Sequence, residues 1–456
     1  MKFRVTIFTA LLWVMLSGQG AMAAALTSST AAIDTFTDVA DWSTAACGAT
    51  AANPTAITAG TDTFTICSGH TLTLAADTTN VAGLTVAGTL AMAGKKLTMT
   101  ANGNIVNSGT ISVTNTDNLF ITLSGTGTYS GTGTLTSKCL SAAASAFDSA
   151  ATWGTATAAC GVTVGTGITP PLPSSGSILS IGANAISPPA GVGPFSVASI
   201  VYTSTGSLTL TGKTLNVSGT VNTTGGSTTA SIVVGAGGTL NIGGALTAAA
   251  PININGGTLA VTGATDGTSG GITTGTNGTF NSIGALTKDT GVLNISGGTL
   301  RIGAAADISG GTGALTLTNS VLKLSDADHQ ITTPASSLAF PIMDFSELGT
   351  ATTPPTAKTV TFVGGAAHTI TSLALPAAAA TTKQVSFVVP GSSGLTISAT
   401  TVNTMTCTDS TVTGVSIAIA ASTTAVCTVA AGAGATSAPI FSTKEKAKVF
   451  VEEVNN

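Results

Sequence analysis

The sequence predicts an all-β fold, a β-solenoid of about 20 residues per coil, and two observations predict it. The first is a recurring phrase, Thr-Leu-x-Val/Ile-x-Gly. It reads Thr239-Leu240-Asn241-Ile242-Gly243-Gly244, then Thr258-Leu259-Ala260-Val261-Thr262-Gly263, with a further copy at Thr299-Leu300-Arg301-Ile302-Gly303-Ala304. A degenerate copy, Thr279-Phe280-Asn281-Ser282-Ile283-Gly284, fills the gap, so the starts lie 19, 21 and 20 residues apart. Alternating apolar residues mark a strand with one buried face, and a period near twenty marks one such strand per coil. The second observation is composition. Only 7% of residues are charged while 43% are hydrophobic, and regularly spaced Leu, Ile and Val supply the apolar surface that disordered chains lack.

Taken in order, residues 1–23 read as a signal peptide. Lys2 and Arg4 give a positive start, Val5 to Leu16 an apolar core, and Ala21-Met22-Ala23 a small-x-small cleavage site. The first cysteine is Cys47, so no lipid anchor is expected at the cleavage point. A first solenoid module, 24–137, opens on Phe36-Thr37-Asp38-Val39-Ala40-Asp41-Trp42 and carries its own strand phrase, Thr89-Leu90-Ala91-Met92-Ala93-Gly94. A Cys/Trp module and Pro-rich linker, 138–176, repeats that opening as Phe147 to Trp153 and closes on Thr169-Pro170-Pro171-Leu172-Pro173. The two Trp segments are expected to cap solenoid ends, where unpaired strand edges must be covered; sugar stacking by Trp42 and Trp153 is the alternative. A second solenoid, 177–351, holds the main repeat. A C-terminal β region, 352–441, has longer alternating runs such as Gln384-Val385-Ser386-Phe387-Val388, readable as further coils or as a small sandwich. The tail, 442–456, carries six charges and reads as a capping strand or one given to a second copy.

Charge excludes several partners. Without Lys2 and Arg4 the chain holds 12 basic against 18 acidic residues, and Arg301 is its only arginine. Nucleic-acid binding requires a basic footprint to neutralise phosphates, and none is present. Nor is there a polybasic stretch for a membrane surface. Val415 to Ala435 is Ala-rich but carries Thr, Ser and Cys427, which suits strands rather than a membrane helix. Six cysteines, Cys47, Cys67, Cys139, Cys160, Cys407 and Cys427, fall in three couples separated by 20, 21 and 20 residues. They allow fifteen connectivities. Export favours disulfides, and local pairing would staple neighbouring coils. Zinc is disfavoured, because no Cys-x-x-Cys occurs and histidine is scarce.

The signal, the Gly-Thr-Leu coils, the Trp-to-Cys-Gly modules and the block Lys358-Thr359-Val360-Thr361-Phe362 together resemble secreted bacterial β-helix surface proteins. Filamentous haemagglutinins and autotransporter passenger domains are the familiar examples. The resemblance implies a right-handed parallel β-helix and an adhesive or structural role at the cell surface. No C-terminal run of amphipathic membrane strands follows, so autotransporter export is not expected.

β-Helices also house polysaccharide lyases and glycosidases, which need placed carboxylates. The densest candidate is Ser325-Asp326-Ala327-Asp328-His329, with Lys323, Asp344 and Glu347 nearby in sequence. Asp326 and Asp328 are expected on one strand face, with His329 titrating near neutrality; the plainer reading is a polar loop. Asn115-Thr116-Asp117-Asn118 and Asp266-Gly267-Thr268 offer oxygens for calcium, without the regular repeat of calcium-binding β-rolls. His70 and His368 stand alone. Stacked threonines suggest ice binding, but the second outward column runs Asn241, Ala260, Asn281, Arg301 rather than threonine. Leu172-Pro173-Ser174-Ser175-Gly176 resembles a sortase signal but is internal. No catalytic, cofactor or metal site is therefore expected. The expected function is a secreted, non-enzymatic surface or matrix protein, adhesin-like, contacting glycans, abiotic surfaces or like subunits, with self-assembly into filaments a further expectation. The alternative is a polysaccharide-acting enzyme on the same fold.

Overall fold

The computed structural model describes residues 23–112, 119–123, 128–130, 134–136, 138–140, 154–155, 158–163, 173–187, 194–229, 231–267, 269–288, 290–303, 308–309, 313–332, 338–347, 358–363, 368–374, 385–389, 395–397, 405–409, 427–431 and 438–440. The signal segment, Trp153, Asn115 to Asn118 and the charged tail lie outside them. Apart from two short 3-10 turns, Val39–Asp41 and Thr50–Ala52, every described element is a strand. The strands stack in parallel as a β-solenoid of about ten turns with a spacing of about 21 residues. They form two compact units, divided at the strand Ile178–Ile181.

In the second unit a typical coil contributes a strand to each of three walls. Thr239–Ile242 is followed by Leu246–Thr247 and Ile252–Ile254, before Thr258–Val261 begins the next coil. The repeat phrase keeps its register throughout. Thr239, Thr258, Thr279 and Thr299 stand opposite one another outside, and Leu240, Leu259, Phe280 and Leu300 stack inside with 0% exposure. The degenerate copy is thus a true coil, in which Phe280 fills the leucine column. Burial of these columns drives the stack, since a fully buried Leu or Phe side chain contributes about 1.5–3 kcal/mol.

Glycine ahead of Thr239, Thr258, Thr279 and Thr299 is a corner requirement. A Cβ on Gly238 would lie 2.3 Å from the Leu210 carbonyl oxygen, and one on Gly278 2.3 Å from that of Ile254, in each case on the coil below. Coils this close admit no side chain at that corner.

The wall of Ile252–Ile254 has Leu315–Thr318 as its last described strand, whereas the other two walls continue. Lys358–Val363, Val385–Val389, Met405–Asp409 and Cys427–Ala431 add to one wall, and His368–Ala374 and Leu395–Ile397 to the other, all parallel to their predecessors. The C-terminal β region therefore extends the stack. Cys407 stands opposite Val429 and Cys427 opposite Met405, which puts the two cysteines on adjacent strands.

Most described strands of the first unit form two walls. One holds Thr71, Thr89, Thr110 and Thr134 in register, with Leu72, Leu90, Ile111 and Leu135 beneath. The other runs through Ala25–Ser28, Thr63–Ile66, Thr78–Val86 and Leu97–Asn107. Its ends break the parallel rule. Trp42–Ser43 lies antiparallel on Ala25–Ser28, and at the far end Ala158–Ala159 lies antiparallel on Gly161–Thr163, with Gly154–Thr155 beyond it. In the second unit Ala438–Ile440 closes one wall the same way. Short reversed strands leave little edge for another chain to join.

Two disulfides hold the first unit's ends. Cys47 is bonded to Cys67 with Cα atoms 5.9 Å apart, and Cys139 to Cys160 with Cα atoms 4.1 Å apart. Trp42 plugs the core: it is 0% exposed, stacked on Phe36 at 5.8 Å and edge-on to Phe64 at 4.8 Å, and its indole N–H donates to the Thr35 carbonyl. A ring so enclosed has no face to offer a sugar, and capping is the role its packing supports.

Candidate functional site

The wall built from the repeat phrase presents two outward columns. The first is Thr214, Thr239, Thr258, Thr279 and Thr299, all half-buried hydroxyls about 4.8 Å apart along the stack. The second, two residues on, is Asn216, Asn241, Ala260, Asn281, Arg301, Lys323 and Asp344. It is a polar ladder: the Asn241 amide donates to the Asn216 side-chain oxygen at 2.9 Å, and Arg301 Nη1 donates to Asn281 Oδ1 at 2.8 Å.

The ladder ends in an ion cluster centred on Glu347. Arg301 Nε donates to both Glu347 oxygens, at 2.8 and 2.9 Å, and Nη2 donates to Oε2 at 2.6 Å. Lys323 Nζ lies 3.3 Å from Oε1. Hydrogen bonds from Arg301 hold the Glu347 carboxyl below its ordinary pKa, and the same bonds raise the guanidinium's. Glu347 reaches the column because Phe345, buried just before it, anchors the chain through a backbone bond to Ala374. Asp344 turns the same segment by accepting from the Ser346 N–H at 2.7 Å.

The expected carboxylate pair is arranged differently. Asp326 and Asp328 sit on a bend between Val321–Leu324 and His329–Thr332, not on a strand, and both are exposed. His329 points the other way, into the core at 4% exposure, with Nε2 3.2 Å from the Ser325 carbonyl. Asp344 and Glu347 belong to the wall of the ladder. The two acids are thus exposed, while the imidazole that follows them in sequence is buried.

The isolated histidines are both engaged. His70 Nδ1 is 2.8 Å from Ser28 Oγ, which also accepts from the Cys67 N–H. His368 is 1% exposed, stacked on Phe362 at 5.2 Å, and its Nδ1 accepts from the Leu338 N–H at 3.3 Å; burial lowers its pKa. Lys288, unremarked in the sequence, is also buried, with its pKa lowered by that burial and Nζ directed at the Gly313 carbonyl, 3.5 Å away. Among the described residues no group of three His, Cys, Asp or Glu could hold a metal, and no helix is long and apolar enough to cross a membrane. Asp266 lies in register between Thr247 and Thr287 on an outer wall.

Fold and surface together define a parallel β-solenoid whose outer walls carry stacked hydroxyl and amide side chains. No family model, no curated protein and no solved structure matches the chain.

Proposed function

We propose that this chain is a secreted, non-enzymatic surface or matrix protein, adhesin-like, that makes contact through the outward ladders of its solenoid walls. The observation that carries this is the register of Thr214, Thr239, Thr258, Thr279 and Thr299 beside Asn216, Asn241 and Asn281. A regular array of neutral donors and acceptors on a rigid stack matches a regular neutral surface, such as a glycan chain or an abiotic solid. Export is supported by the signal-like first 23 residues and by two disulfides, bonds that persist in oxidising compartments. Cys407 and Cys427 form a third disulfide in this reading, and residues 442–456 mediate contacts with like subunits.

Retention of the purified protein on an immobilised neutral polysaccharide tests the proposal. Retention should hold between about 50 and 500 mM salt, because screening acts only on charge. Replacing Thr258 and Thr279 by Glu should abolish it. Salt-sensitive retention, or full retention by the double variant, would remove the ladder from the mechanism. Product release from a polysaccharide panel that is lost in Asp326→Ala and Asp328→Ala would establish the enzyme reading instead.

A further inference from the structure

The amide ladder of the second unit has a direction. Asn241 Nδ2 donates to Asn216 Oδ1 on the coil before it, and Arg301 Nη1 donates to Asn281 Oδ1 on the coil before it. A guanidinium has donors only, so Asn281 must turn its oxygen towards Arg301. Glu347 takes Arg301 Nε and Nη2, which leaves Nη1 for that bond. Both bonds therefore run the same way, each donor pointing to the preceding coil.

One rung of this ladder is an alanine. Ala260 stands in register between Asn241 and Asn281, half-buried, with only a methyl group to present. The oxygen and nitrogen of a planar amide lie on opposite sides of its carbon, so Asn241 Oδ1 and Asn281 Nδ2 are both turned towards this notch. Neither atom has a partner among the described residues. The two amides lie two strand spacings apart, about 9.6 Å, and their inner atoms lean in to leave roughly 7 Å. A single water, with two hydrogen bonds of about 2.8 Å, reaches about 5.6 Å and falls short. Two oxygens about 2.8 Å apart reach roughly 8 Å, enough to arch over the alanine methyl. A vicinal diol holds its oxygens at about that distance in the gauche form that sugar rings impose.

We propose that the notch over Ala260 is a binding subsite for a vicinal diol of a neutral saccharide. One hydroxyl accepts from Asn281 Nδ2 and donates to its neighbour, and the neighbour donates to Asn241 Oδ1. The diol so supplies a rung in the ladder's own direction, and one molecule takes the place of two bridging waters. The Ala260 methyl meets the C–H groups of the sugar ring. The subsite rests on the reading of the walls as a neutral contact surface, and it names the chemical group that one ladder takes and the coil that takes it.

The full chain, isotopically labelled on its asparagine side chains, tests the notch with methyl α-glucoside as the probe. Titration should move the Asn241 and Asn281 side-chain amide signals. The permethylated glucoside has no hydroxyl to donate and should bind about tenfold more weakly. Ala260→Asn fills the notch with an amide that continues the ladder, and Ala260→Val fills it without hydrogen bonds; both should lose the shifts. Both should also lose retention on the immobilised neutral polysaccharide. Shifts or retention that persist in either variant, equal binding of the permethylated probe, or shifts confined to asparagines of the other walls would overturn the subsite while the retained wild type leaves the wider ladder reading standing. A wild type that is not retained at all would remove both.

Discussion

One turn of chain, residues 265–282, carries three inward polar residues where the coils on either side carry aliphatic ones. Thr265 faces inward between Leu246 and Leu286, Thr274 between Ile254 and Ile295, and Ser282 between Val261 and Ile302. All three are 0–1% exposed. Ser282 donates to the Gly284 carbonyl at 3.2 Å, but the hydroxyls of Thr265 and Thr274 find no partner. A buried hydroxyl without a hydrogen bond costs roughly 1–3 kcal/mol. Thr265→Val and Thr274→Val keep the shape and remove the orphan group, so each should stabilise the second unit by about 1 kcal/mol, whereas Ser282→Ala, which deletes a satisfied group, should not. Denaturant midpoints followed by hydrogen exchange across residues 252–302 would show the difference; destabilisation by either valine would mean those hydroxyls are bonded in solution. Ser282 lies in the degenerate copy of the phrase, where the break shows in the sequence. Thr265 and Thr274 do not show in it, because threonine also forms the outward column and its direction depends on a register that only stacking fixes.

Elements were legible where each coil repeats the same physical demand. The Thr-Leu phrase encodes an outward hydroxyl, an inward core residue and a glycine corner, so its register follows from pattern alone. That the described strands beyond Leu315–Thr318 join only the other two walls was not legible, since they keep the same alternation. The Glu347 cluster was hidden for another reason: Arg301 and Glu347 are 46 residues apart and meet only because later coils stack above the earlier one. Two variants test this level. Gly278→Ala forces a Cβ to within 2.3 Å of the Ile254 carbonyl and should cost about 1–3 kcal/mol, as other overpacked sites do. Glu347→Gln removes the carboxylate that Arg301 and Lys323 share and should cost about 1 kcal/mol, given side chains 28–29% exposed. The first should speed exchange on both coils that meet at the corner, and the second only around residues 339–347. Equal effects from both would show that the coils do not open locally.

For the whole molecule, acid should act at a few places rather than everywhere. The chain carries 18 acids and 14 bases in 456 residues, so protonation builds little general repulsion. Solenoids open segment by segment, because each coil contacts only its neighbours. Two groups set the order. His368 is held neutral in an aromatic pocket, with its pKa below the ordinary 6.5. Its contribution is full above that value and is lost as pH falls through the lowered folded pKa, when a charge must enter the pocket and Nδ1 can no longer accept from Leu338. Glu347 has its pKa lowered from 4.5, so its contribution is full above 4.5 and is lost only as pH falls further, through its own folded value. Exchange should therefore rise first around residues 338–374 and next around the ladder at 301–347, while the disulfide-held first unit stays protected longest. His368→Phe, which keeps an aromatic ring and removes the titration, should abolish the first step and leave the second. If the first unit loosens before residues 338–374, or if His368→Phe leaves the sequence of events unchanged, buried titrating groups do not govern how this solenoid comes apart.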